Sequence, residues 1–334
     1  MAGRQTSVVT SDGDDKIEVC EATPGDHEGV MAISKNIYNG LDYLPGKYHC
    51  SINSPGANYY VLLKNDTIVA FKNFQKAESG EHFTSAAVRV SAEHRGEGLM
   101  GKLHAGALYL FNLKYPDIRK VMMVVQWFPP VHSYLSKSKT GKVVLWRNYL
   151  VYKVPNAKNA ISSFLKRQIE PSDFSTKKLT AAEIEKYITE PTISKIMAEE
   201  SMLLYSSYWF PEVKEERIVQ KILKEQNTLV LASFSTTTNE VISFSHSQLL
   251  KTQFGDRIDI HYQGDELSGF ISHVTTHLHN LLETLPDVDG LAMFLFFSKK
   301  IQVEKLEESL NDFGTRFTSE IYQVKECVTI AEDC

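Results

Sequence analysis

The sequence predicts an α/β protein built on mixed sheets, with one fold used twice. Three observations predict it. Strand-like and helix-like patterns interleave through the first 154 residues, and the second half repeats much of that order. One junction also recurs: "NLKYPDIRKVMMVV" and "LLETLPDVDGLAMFLF" each read as a helix end, a Pro-Asp turn and an apolar strand. Pro116 and Pro286 hold the same place in the two halves. Strands alternating with helices imply a sheet covered on both faces.

Each element has its own signal. "KIEVCEAT" places Ile17 and Val19 on one face of a strand. Thr23-Pro24 then opens a helix in which Val30, Ile33 and Ile37 fall at helical spacing, and Gly40 stops it. "LDYLPGKYHCSINSPG" reads as a loop rich in tyrosine, proline and glycine. "NYYVLLKNDTIVAFKNFQKA" is a hairpin with Asn65-Asp66 at its turn, and "EHFTSAAVRV" is a further strand. A helix follows and ends near Tyr115-Pro116; then come the strand "KVMMVVQ", a short helix "PPVHSYLSKS" and the strand "KVVLWRNYLVYKV".

After a linker-like segment with the basic helix "ISSFLKRQ", "LTAAEIEKYI" reads as a helix with Thr180 as its N-cap. "TLVLASFSTTTNEVISFSHSQLL" is a hairpin turning near Asn239, followed by "DRIDIHYQGDELSGF", a helix over about 270–285 and the strand "GLAMFLFF". The expected organisation is a flexible start over 1–15, a first domain over 16–154, a linker over 155–172 and a second domain over 173–334.

Composition narrows the function classes. The 334 residues are 43% hydrophobic and 23% charged, which suits a globular chain able to bury a core without staples. A net charge of -5 argues against a nucleic-acid groove, which needs a basic surface. Cys20, Cys50, Cys327 and Cys334 lack metal or disulfide spacing and suit free thiols in a reducing compartment. The polar start "MAGRQTSVVTSDGDDK" lacks a signal-peptide core, and no run reaches transmembrane length. A cytoplasmic protein is the expectation.

The chemistry concentrates in "VRVSAEHRGEGLMGKLHAGAL", residues 88–108. Three glycines lie where a strand ends and a helix begins. The first turn of a helix exposes unpaired N–H groups, and glycine lets an anion reach them without meeting a Cβ. The P-loop ending Gly-Lys-Ser/Thr is absent, and the motif follows a fourth strand rather than the first strand of a dinucleotide-binding unit.

At Arg95, Gly96, Glu97, Gly98, Leu99 and Met100 the chain resembles the GCN5-related N-acetyltransferase superfamily, whose cofactor motif is Arg/Gln-x-x-Gly-x-Gly/Ala. The resemblance covers roughly residues 16–154 in order and spacing. It implies that the amides of Arg95, Gly96, Gly98, Leu99, Met100 and Gly101 hold the pyrophosphate of acetyl-CoA. It also implies that the strand around Val88 and Val90 offers backbone groups to the pantetheine and the thioester. Met100 stands where glycine or alanine is usual. "IYNGLDYLPGKYH", "HRGEG" and the long second half are similar to the histidine N-acetyltransferase-like proteins of vertebrates. That likeness implies direct acetyl transfer to the α-amine of a free amino acid, histidine leading, with no metal. Glycine N-acyltransferases, which also pair two such domains, and a CoA-binding scaffold are the alternatives.

Within this frame Tyr134 is the candidate general acid, beside a packing role. Glu81 and His82 are low-ranked candidates for the base, with a water relay as the alternative. Tyr38, Asp42 and Tyr43 form a candidate cage for a cationic group, or equally a loop with aromatic plugs. Arg89 and Arg147 are candidates for the acceptor carboxylate, and Trp209 in "LLYSSYWFPE" for closing the pocket. In the second half "HYQGDELSGF" puts Asp265 and Glu266 at the matching helix start, where they repel pyrophosphate, so that domain is expected to be degenerate. His273 and His277 sit at i and i+4 without a third ligand.

Overall fold

The computed structural model describes residues 7–13, 15–35, 37–77, 80–126, 142–166, 173–189, 204–206, 210–212, 228–311, 313, 315–316 and 325–333. The chain divides into two compact units, Met1–Val124 with Ala331–Cys334, and Val125–Ile330.

The first unit is a mixed sheet in the order β1(Ser7–Asp12), β2(Asp15–Glu21), β3(Ala57–Lys64), β4(Thr67–Lys76), β5(His82–Val90), β6(Lys120–Gln126). Neighbours are antiparallel up to β5, and β5 and β6 are parallel. The turn at Asn65-Asp66 has φ of 51° and 65°, the left-handed pair that a two-residue hairpin requires. Helices α1(His27–Ala32) and α2(Leu44–Ser51) follow β2, and α3(Leu99–Lys114) follows β5. Strand alternation divides the core. Val61 and Phe71 pack with Val30, Leu44 and Tyr48 under α1 and α2, while Leu62, Ala70 and Phe74 pack with Leu103, Ala107 and Phe111 of α3.

Three expectations change here. Residues 7–12 are a strand rather than a flexible start, held by backbone pairing to β2 (Val8↔Val19, Thr10↔Ile17). The first helix is shorter than its apolar spacing suggests, running only from His27 to Ala32, with a separate 3-10 turn at Ile37–Gly40. The segment read as a loop contains α2, which proline opens because its missing N–H is unneeded in a first helical turn.

In the second unit the sheet runs β8(Phe174–Lys178), β11(Thr228–Ser235), β12(Val241–Lys251), β13(Asp256–Gln263), β14(Leu291–Phe297), β7(Lys142–Val154), with β15(Thr315–Arg316) also on β7. A short hairpin joins β9(Leu204–Ser206) and β10(Phe210–Glu212). The helices are α4(Ala157–Leu165), α5(Ala181–Thr189), α6(Leu267–Thr284) and α7(Val303–Ser309). Thr180 caps α5 as its sequence suggests: its hydroxyl accepts from the Glu183 N–H, and its own N–H donates to the Glu183 carboxylate. Strand β7, expected to finish the first domain, instead pairs with β14 from Leu291↔Val154 to Phe297↔Asn148.

The repeated junction is the same in both units. Tyr115 N–H bonds to Phe111 O at 2.8 Å and Ile118 N–H to Tyr115 O at 3.3 Å. Leu285 N–H bonds to Leu281 O at 2.7 Å and Val288 N–H to Leu285 O at 3.3 Å. Ile118 and Val288 are both buried. The strands match as well. "FKNFQ" of β4 and "FSHSQ" of β12 set Asn73 opposite Ala86 and His246 opposite His261.

Candidate functional site

The glycine-rich turn of the first unit is open. Gly96 has φ of +91° and Gly98 of +71°, where a side chain is strained, and a Cβ added at either would meet no atom within 4 Å. Gly98 is the left-handed N-cap of α3. Among the described residues, the N–H groups of Gly96 through Met100 have no backbone acceptor, whereas Gly101 N–H already bonds to Gly98 O at 3.0 Å. Leu99 is buried, Met100 half-buried, and Arg95 exposed with its Nε 3.4 Å from Val90 O. Five free donors and the positive end of a sixteen-residue helix make a seat for an anion.

The turn is held from outside. Glu97 accepts from Lys64 Nζ at 2.9 Å and lies 3.0 Å from His94 Nδ1, and Lys64 also meets Asp15 at 3.0 Å. Hydrogen bonds from Lys64 and then His94 hold the Glu97 carboxyl below its ordinary range. The one acid inside the motif is thereby directed to its own neighbours.

Strand β5 is irregular beside this turn. Its register with β4 shifts between Phe71↔Arg89 and Asn73↔Ala86, so Ala87 and Val88 oppose Lys72 alone. Ala87 has φ of 53°, a bulge that turns backbone groups away from the ladder. On the other edge β5 pairs with β6 at His82↔Lys120, Phe83↔Val121 and Thr84↔Met122. Val88 stays 43% exposed in mid-strand. Among the described residues β5 makes no further pair with β6 beyond Thr84, ahead of the bulge.

The α1–α2 face carries the polar set. Arg89 Nη2 donates to both Asp42 oxygens, at 3.0 and 2.8 Å, in a pair only 4% and 7% exposed. Asp42 Oδ1 also accepts from the Leu44 N–H that opens α2. Tyr59 donates to Ser51 Oγ at 2.6 Å, and burial pushes its phenol up to about 12. On the α3 face, buried Lys72 donates to His104 Nδ1 at 2.5 Å. Burial, then the lysine's charge, lowers His104 to about 4, so the imidazole is neutral and can accept.

The expected residues separate accordingly. Arg95 reaches back to Val90 O at the end of β5, and Asp42, Tyr43 and Arg89 lie on the α1–α2 side. Arg89 and Asp42, expected as separate contacts, bind each other. Glu81 is exposed and His82 buried at the opposite end of β5, about 16 Å of strand from Ala87, too far for either to act on a group held at the bulge. Tyr134 and Trp209 lie outside the described residues, as do the side chains of Tyr38 and Arg147.

The matching region of the second unit is built differently. β12 and β13 pair without a register shift, and β13 pairs with β14 from Asp256↔Leu291 to His261↔Phe296. A Cβ at Gly264 would lie 2.6 Å from the Tyr262 hydroxyl, which donates to Glu266 O. Asp265 is engaged by Lys300 and Ser298. The buried histidines of α6 join a hydroxyl network: His273 contacts Ser233 and Ser245 at 2.8 and 2.6 Å, and His277 contacts Ser245 at 2.7 Å. Burial lowers His273 to about 3 and His277 well below its ordinary value.

The parallel β5–β6 pairing ends at Thr84↔Met122, ahead of the bulge at Ala87 and the open glycine turn that begins α3. The chain has the GCN5-related N-acetyltransferase fold. A tandem GNAT protein from the clavulanic acid biosynthesis pathway superposes over 95% of this chain and 98% of its own, with a TM-score of 0.56 at 9% identity. A GCN5-related N-acetyltransferase from Sphaerobacter thermophilus covers 95% of both chains with the same TM-score of 0.56 at 10% identity. The two units thus form a tandem arrangement of this fold. Among curated proteins, "Probable N-acetyltransferase 16" from Homo sapiens is 32% identical over 98 residues, 29% of this chain and 27% of that protein. "Histidine N-acetyltransferase" from Xenopus tropicalis is 31% identical over 113 residues, 34% of this chain and 35% of that protein. The matches span about a third of those relatives' length. No family model matches the chain.

Proposed function

We propose that the first unit is an acetyl-CoA-dependent N-acetyltransferase whose acceptor is the α-amine of a free amino acid, histidine foremost. The observation that carries this reading is the open glycine seat beside the bulged edge of β5. The free amides from Gly96 to Met100 suit a pyrophosphate, and the unpaired edge of β5 suits an amide-bearing pantetheine arm. An N–H at the bulge would polarise the thioester carbonyl.

In the transfer the amine lone pair forms the C–N bond while the C–S bond breaks. The amine gives up one proton and the CoA thiolate gains one. A free α-amine with a pKa of ~8 needs only a weak base or water for this. The buried Arg89, held in place by Asp42, supports an acceptor with a carboxylate, whose charge the guanidinium matches. The relatives named histidine N-acetyltransferase favour histidine within that class.

In the second unit the unbroken β13–β14 pairing and the Tyr262-filled turn support a reading without CoA binding. A cytosolic location fits the free thiols of Cys20 and Cys50; among the described residues no helix is long and apolar enough to cross a membrane. The test is thiol release from acetyl-CoA over a panel of amino acids and amines. Turnover confined to free amino acids supports the proposal. Preference for benzoyl-CoA with glycine, or CoA binding without turnover on any acceptor, refutes it.

A further inference from the structure

We infer that Asn73 on β4 holds the acceptor amine, an inference that rests on the proposed acetyl transfer. Asn73 shares its face with Phe71 and Gln75, towards α1 and α2, and its Cα stands opposite Ala86, next to the bulge at Ala87. It is only 2% exposed, and among the described residues its Oδ1 has no hydrogen-bond partner. An unpaired buried amide oxygen destabilises the fold, so a residue kept only for packing would be apolar or paired.

Among the described residues, two donors on this face are engaged elsewhere. Tyr59, directly across on β3, gives its proton to Ser51, and Arg89 Nη2 binds Asp42. The oxygen therefore fits a ligand that brings its own N–H. One strand position from the backbone that would polarise the thioester, that ligand group is the attacking amine. Asn73 accepts the N–H that the amine keeps, leaving its lone pair free to form the C–N bond as C–S breaks. The departing proton goes to solvent, and CoA leaves as the thiol. Asn73 stays neutral throughout, so it orients the amine without stabilising the unreactive ammonium as a carboxylate would.

The test compares wild type with Asn73→Leu and Asn73→Asp, using acetyl-CoA and L-histidine, with calorimetric binding of CoA and of L-histidine measured alongside. Asn73→Leu is expected to lower kcat/KM for L-histidine ~10–100-fold and to weaken L-histidine binding, with CoA affinity unchanged and the melting temperature equal or higher. Asn73→Asp is expected to shift the pH–rate profile to higher pH by holding the ammonium form, a change that a packing role would not produce. Asn73→Leu within twofold of wild type in both readouts overturns the assignment, as does joint loss of CoA binding and melting temperature. If wild type turns over no amine but Asn73→Leu still weakens L-histidine binding, the acetyl-transfer reading falls while the contact stands. If wild type neither binds nor acetylates L-histidine, both fall.

Discussion

Placing one methyl group at Gly98 separates the two jobs this glycine is assigned. In Gly98→Ala the Cβ meets nothing within 4 Å, so no clash contributes, but φ of +71° remains strained. That strain costs about 1–2 kcal/mol, or ~4–8 °C in melting temperature for a unit of this size. The methyl also stands at the mouth of the amides that would hold the pyrophosphate. Losing one charge-assisted hydrogen bond, worth about 1.5–3 kcal/mol, raises the Kd for CoA by ~10–150-fold. Gly80→Ala is the control. It carries the same penalty, with φ of +74° and nothing nearer than Lys76 Cε at 4.0 Å, at the far end of β5. Scanning calorimetry and CoA titration should give both variants similar melting losses and only Gly98→Ala a weakened Kd. Gly98→Ala binding CoA within threefold of wild type would refute the cradle.

Other expectations follow from packing and charge. Arg89→Leu or Asp42→Leu alone leaves a buried charge unpaired and should cost about 3–5 kcal/mol in denaturant unfolding. The double variant should recover most of that stability and still fail to acetylate amino acids; recovered turnover would remove the pair from acceptor binding. Gly106→Ala should destabilise by about 1–3 kcal/mol, because its Cβ would fall 2.8 Å from Val19 Cβ, and an unchanged melting temperature would contradict that packing. His273, lowered to about 3 by burial, binds its proton only in the unfolded chain between pH 6.5 and 3. Its stabilisation is thus present above pH 6.5 and lost on acidification, by about 2 kcal/mol at pH 5. His273→Gln should flatten that slope, and an unaltered slope would show that another group sets it.

Legibility in the sequence followed how local each cause is. The Asn65-Asp66 turn, the Thr180 capping box and the Gly96 and Gly98 positions depend on a few adjacent residues, and all three could be read from them. Strand β1 could not, because "SVVTSD" lacks a clear apolar alternation and owes its form to pairing with β2. The bulge at Ala87 left no trace, since alanine carries no preference for positive φ. Arg89 and Asp42 are 47 positions apart, and their pairing depends on how the loop before α2 folds over β5. Likewise β7 reads as a strand, but nothing in its pattern says that β14 will be its partner. Asn73 did have a signal: it is a polar residue within the otherwise mostly apolar "IVAFKNF".

Incubation with isotopically labelled acetyl-CoA and L-histidine, read by mass spectrometry, tests the central claim most directly. The account predicts labelled N-acetylhistidine and one free CoA thiol for each product molecule, both lost in Gly98→Glu. CoA bound at the first unit, with no labelled amide formed on any free amino acid, would contradict it.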